Sequence, residues 1–111
     1  MSDSAQVQAL VARAVSEFGA LDVTFNNAGL LPPTAPLAEQ TEDDWHRIMR
    51  VDVTGVFLCL KHELAQMAKA GYDVIVNTAS VAGLRGSPTV PLPGHCVCNF
   101  ACGKGCISHR R

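Results

Sequence analysis

The sequence predicts an α/β fold, part of a doubly wound parallel sheet whose strands are joined by helical crossovers. Three observations carry this reading. The pattern along the chain is helix, strand, helix, strand, an order that builds crossover units. Crossovers of helical length join parallel strands, whereas antiparallel neighbours need only a tight hairpin. Apolar residues make up 48% of the chain but include one Trp, one Tyr and four Phe. The remainder is dominated by Ala, Val and Leu, as expected of helices packed on a buried sheet.

The first helix is predicted in "SAQVQALVARAVSEFG", where Val7, Leu10, Val11, Ala14, Val15 and Phe18 recur at helical steps and make one stripe. Ser2 or Ser4 is expected to cap its start and Gly19 to stop it. "LDVTFNNAG" follows, with Val23, Thr24 and Phe25 favouring a short strand that runs into the turn cluster "NNAG". "LPPTAPLAEQ" holds three of the six prolines and is expected to be loop. The stretch from Thr41 to Gly71 reads as one long helix. Thr41 and Asp44 resemble a capping box with a shorter acid. Glu42, Asp43 and Asp44 suit the positive end of the helix dipole, and Lys69 suits the other end. Gly55, in the middle, marks a close packing contact. "YDVIVNTAS" is the second strand, and its unbroken Val74, Ile75, Val76 suggests burial on both faces.

A length of 111 residues allows one small domain. No apolar run is long enough to span a bilayer, and the polar start "MSDSAQVQAL" does not read as a signal peptide. The expectation is therefore a cytoplasmic protein without a membrane partner. Residues 1–73 carry a balance of −5, and residues 74–111 carry +4 from Arg85, Lys104, Arg110 and Arg111. Those four cations are too dispersed to form a nucleic-acid patch. Five Cys, four of them at 96, 98, 102 and 106, are an odd number for a disulfide framework.

Parallel sheets bind ligands at the carboxyl ends of their strands. "NNAG" and Ser80 each stand at such an end, and this placement is the main functional signal. Taken singly, "NNAG" is an ordinary turn and Ser80 an ordinary loop hydroxyl.

Together the pieces resemble the short-chain dehydrogenase/reductase family. "NNAG" (residues 26–29) after "FGALDV" resembles the family's structural motif, "VDVTGVFLC" (51–59) its central-helix signature, and "VIVNTASVAG" (74–83) its catalytic strand and loop. The resemblance covers residues 1–91 and implies a truncated Rossmann-type fold, with residues 92–111 as an irregular Cys/Gly-rich tail. It implies an oxidoreductase that moves a hydride between NAD or NADP and a small alcohol or carbonyl compound. Ser80 falls on the catalytic Ser. Asn26, Asn27, Ala28 and Gly29 fall on the cofactor-side loop. Asp52 falls where the family has an Asn that supports a proton-relay water.

The same resemblance shows departures. The Gly-rich turn that presents backbone N–H groups to the pyrophosphate has no counterpart, so weak NAD(P) binding is expected. The family's Tyr would fall near Pro93, yet the only Tyr is Tyr72. His95 is the candidate substitute for the proton donor, but Asn99, four residues later, lacks the charge of the family's Lys. A reading-frame shift after Pro91 would account for the change of character there. The leading expectation is a family remnant inactive as this chain alone. The alternatives are a self-associating module that uses the long helix, and a metal site of Cys96, Cys98, Cys102 and Cys106 with His95 or His109, whose spacing fits zinc only loosely. No metal ligand is assigned.

Overall fold

The first helix, α1 (Ser4–Phe18), begins where one oxygen of the Asp3 carboxylate accepts the N–H groups of Ala5 and Gln6, at 2.8 and 3.2 Å. The cap is thus Asp3 rather than Ser2 or Ser4. A single carboxylate oxygen there satisfies two of the amides that a helix start leaves without partners. The helix closes at Gly19, whose φ of 84° places it in the left-handed region and lets its N–H reach Val15 O at 2.8 Å. The structure, a computed structural model, describes residues 2–31, 33–71, 73–80 and 108–110.

Strand β1 (Val23–Asn26) follows α1. The proline-rich loop contains one 3₁₀ turn, Leu37–Glu39, where the sequence suggests only loop. Pro36 lies just outside that turn, so its missing N–H interrupts nothing. Helix α2 (Glu42–Ile48) is capped by Thr41. The Thr41 hydroxyl accepts from Asp44 N at 3.1 Å and donates to the Asp44 carboxylate at 2.8 Å. A longer acid would reach back to the Thr41 N–H; the shorter Asp takes the hydroxyl instead.

The long helix is continuous but not uniform. Residues Met49–Gly55 form a π-helical segment between α2 and α3 (Val56–Ala70). One line of residues faces inward along the whole helix: Ile48, Asp52, Gly55, Val56, Cys59, Glu63 and Met67 are all buried. Gly55 is buried on that line, as expected of a close contact. Gly71 ends α3 with φ 76° and donates to Met67 O at 3.1 Å.

Strand β2 (Asp73–Asn77) pairs with β1 in parallel, in the register Val23↔Val74 through Asn26↔Asn77. A third strand, β3 (Ser108–Arg110), pairs antiparallel with the other edge of β2, giving the order β1-β2-β3. The sequence reading treats residues 92–111 as irregular. Backbone pairing needs no side-chain alternation, so three residues of that tail join the sheet without an apolar signature.

Helix α3 packs on both β1 and β2, and α1 packs on α3. The Ser4 hydroxyl and His62 Nε2 meet at 2.9 Å and tie the two helices together. Val7, Ile48, Val56, Cys59, Met67 and Ile75 form the core. Two expectations fail. Leu10 and Phe18 of the α1 stripe are exposed, and Val74 and Val76 are only half-buried. Among the described residues, helices cover one face of the sheet, and Val23 and Phe25 on the other face remain 61% and 64% exposed. No helix among the described residues is long and apolar enough to cross a membrane.

Two local substitutions test these helix ends. Asp3→Ala should cost about 1 kcal/mol through the lost cap. Gly19→Ala should cost a similar amount, roughly 1 kcal/mol, because a Cβ disfavours φ 84° although nothing lies within 4 Å of it. Urea unfolding midpoints of both variants against the parent chain measure the effect.

Candidate active-site cleft

Because β1 and β2 are parallel and end on the same register pair, their following loops leave the sheet side by side. The Thr78 N–H donates to Asn26 O at 2.9 Å, and the Thr78 hydroxyl donates to Asn27 Oδ1 at 2.6 Å. These two bonds fasten the "NNAG" loop to the loop that carries Ser80. Beneath them, Asn26 Nδ2 donates to Glu63 Oε2 at 2.9 Å and to Asn77 Oδ1 at 3.0 Å. Asn26, Glu63 and Asn77 are all buried.

The π-helical segment supplies the third wall. It carries the buried Asp52, whose Oδ1 accepts the Leu30 N–H at 2.8 Å. This bond holds the far end of the "NNAG" loop against the helix. A cleft of about 80 Å³ lies between the three elements. Asn27, Ala28 and Gly29 line one side, Thr78, Ala79 and Ser80 the other, and Asp52 and Val56 the base.

Five of the residues singled out from sequence therefore share one cleft: Asn27, Ala28, Gly29, Asp52 and Ser80. Asn26 stands below it, with its side chain turned to Glu63 and Asn77. His95, Asn99 and the tail cysteines 96, 98, 102 and 106 lie outside the described residues. Among the described residues no group of three or more metal-ligating side chains forms. The sequence reading passed over Thr78 and Glu63. Glu63 had a signal: it falls four residues after Cys59 and four before Met67, an acid on the inward line of α3.

The described residues do not fit a whole dinucleotide. A pyrophosphate binds best at a helix N-terminus with open N–H groups. The first amides of α1 are already taken by the Asp3 carboxylate, and α2 opens with Glu42, Asp43 and Asp44, which repel an anion. The cleft is also well below the roughly 300–1,000 Å³ of ordinary ligand pockets.

Burial pushes the Cys59 thiol above its ordinary value of 9.0, and the neighbouring Glu63 carboxylate adds to the rise. Its folded value being raised, the stabilisation from this group is present below pH 9 and is lost as pH climbs through the folded value. Cys59 is therefore an uncharged core thiol at neutral pH.

Comparison with known proteins agrees with this geometry. The family model of the short chain dehydrogenases matches residues 1–92. A cis-4-hydroxycyclohexanecarboxylate dehydrogenase of Sinomonas cyclohexanicum is 46% identical over 86 residues, 78% of this chain and 34% of that protein. A levodione reductase of Leifsonia aquatica is 40% identical over 78% of this chain and 32% of its own length. Among solved structures, NAD+-bound xylitol dehydrogenase superposes with a TM-score of 0.81 at 36% identity, covering 90% of this chain and 38% of the other. The chain thus spans about a third of the length of the curated relatives it matches. With the matched sequence motifs and the fold in agreement, the chain belongs to the short chain dehydrogenase family of oxidoreductases.

Proposed function

We propose that this chain forms the substrate-side wall of an alcohol or carbonyl oxidoreductase and does not turn over by itself. The observation that carries this reading is the convergence of Asn27–Gly29, Asp52 and Ser80 on one cleft at the carboxyl ends of parallel strands. In this reading Ser80 donates its hydroxyl hydrogen to the substrate oxygen and so fixes the carbonyl carbon at the cleft mouth. Asp52 holds the "NNAG" loop through Leu30 and, as a carboxylate, accepts hydrogen bonds without donating any. A nicotinamide cofactor, when bound, supplies or receives the hydride. The proposed site of action is the cytoplasm. Two relatives are named for six-membered carbocycles: a cyclohexanol dehydrogenase and a hydroxycyclohexanecarboxylate dehydrogenase. Cyclic ketones and secondary alcohols are accordingly the proposed substrate class.

The occupied N-terminus of α1 and the acidic start of α2 support weak cofactor binding. Calorimetric titration of the purified chain with NAD+ and NADPH is expected to give no micromolar affinity; a micromolar constant would overturn this account of the site. Oxidation of NADPH or NADH with cyclohexanone is expected to stay at background for the chain, for Ser80→Ala and for His95→Ala. Turnover in the parent chain that disappears in both variants would show that His95 serves as proton donor and that the chain is active alone.

A second reading, self-association, has its own observation. Phe57 and Leu64 lie two turns apart on α3, and they are 61% and 42% exposed. Val23 and Phe25 add an apolar sheet face that is uncovered among the described residues. Sedimentation velocity is expected to show dimers or larger species, and Phe57→Lys is expected to shift the distribution toward monomer if α3 is the contact.

A further inference from the structure

Glu63 belongs to neither the cleft nor the family motifs noted above, yet it is 6% exposed in the core. An acid in that position is costly unless its lone pairs are used. Its Oε2 accepts from Asn26 Nδ2 at 2.9 Å. The second acceptor on that same nitrogen is Asn77 Oδ1 at 3.0 Å. An amide nitrogen carries two hydrogens, and here two acceptors claim both of them. A carboxylate can only accept, so the Asn26 amide has one orientation compatible with its neighbours. Asn26 and Asn77 are the last residues of β1 and β2 and face each other in register. The main chain of Asn26 in turn receives Thr78 N–H at 2.9 Å. One helix residue is therefore hydrogen-bonded at the point where both cleft loops start.

We infer that Glu63 is a positioning residue that fixes the "NNAG" loop and the Ser80 loop in mutual register through the Asn26 amide. This rests on the cleft reading above for its functional meaning, but not for its test. The bond to a charged acceptor is the stronger of the two that the Asn26 side chain makes. Its loss frees the Asn26 side chain and loosens the Thr78 N–H···O bond at the carboxyl ends of the strands. The Val74 N–H···O=C bond to Asp22, 3.1 Å long at their amino ends, is out of reach of this effect.

Amide hydrogen exchange, followed residue by residue by NMR on the full chain, separates this role from a general contribution to stability. In Glu63→Leu, Thr78 N–H is expected to exchange on the order of tenfold faster, with Val74 N–H changed less than about threefold. Glu63→Gln retains an acceptor oxygen at the same reach and is expected to stay within about threefold of the parent at both amides. Glu63→Asp keeps the charge but is one methylene shorter; it is expected to behave like Glu63→Leu and provides the test if that variant does not fold. Equal acceleration at Thr78 and Val74 would overturn the inference, as would a Glu63→Gln variant as labile as Glu63→Leu or an unchanged Glu63→Asp. A chain with this exchange pattern but no reductase activity in any assembly would leave the positioning role standing and remove the oxidoreductase reading alone.

Discussion

A parallel strand pair cannot be closed by a tight turn, and in this chain that restriction governs everything between β1 and β2. Residues 27–72 must travel back along the sheet before the second strand can start, and they do so as α2, the π-helical segment and α3. The returning helix lies on one sheet face and packs on both strands. The two strands then end at the same level, Asn26 beside Asn77. A cleft at their carboxyl ends follows from the pairing itself: two loops emerge together and the crossover passes beside them. The same sheet in antiparallel form would send those loops to opposite ends.

The pairing also explains why polar residues occupy the core at this level. Strand ends next to a cleft must satisfy their last backbone and side-chain groups without the ladder. Asn26 does this by donating to Glu63 and Asn77 while its carbonyl takes Thr78 N–H. Replacing such a network by apolar groups could leave stability unchanged, but it would release the loops. The network stiffens one end of a sheet whose opposite face is uncovered among the described residues.

The helix irregularity serves the same end. A plain α-helix keeps residues three and four apart on one face. Across the wider segment Met49–Gly55 that line runs on at steps of four, four and three through Ile48, Asp52, Val56 and Cys59, and Asp52 meets the Leu30 amide. Single π turns inside α-helices occur often at functional sites. Here the segment brings a carboxylate to the base of the cleft, at the position where the family resemblance expects an Asn.

The sequence by itself determined the order of α1, β1, the long helix and β2, although the second strand, read through Ser80, ends at Asn77. Each of these follows from local pattern: helical spacing in residues 7–18, β-branched runs at 23–25 and 74–76, and Gly at 19 and 71. The family motifs also carried Ser80, Asp52 and the "NNAG" loop to one side of the sheet. Tertiary structure decided the rest, because it depends on partners distant in the chain. Asn26 left the cleft for a buried bond to Glu63, 37 residues away. Val74 and Val76 are half-buried rather than buried because burial belongs to whatever covers a face, not to the strand. The short β3 joined the sheet through backbone bonds that no side-chain pattern announces. The π-helical segment, too, has no local signature in "MRVDVTG".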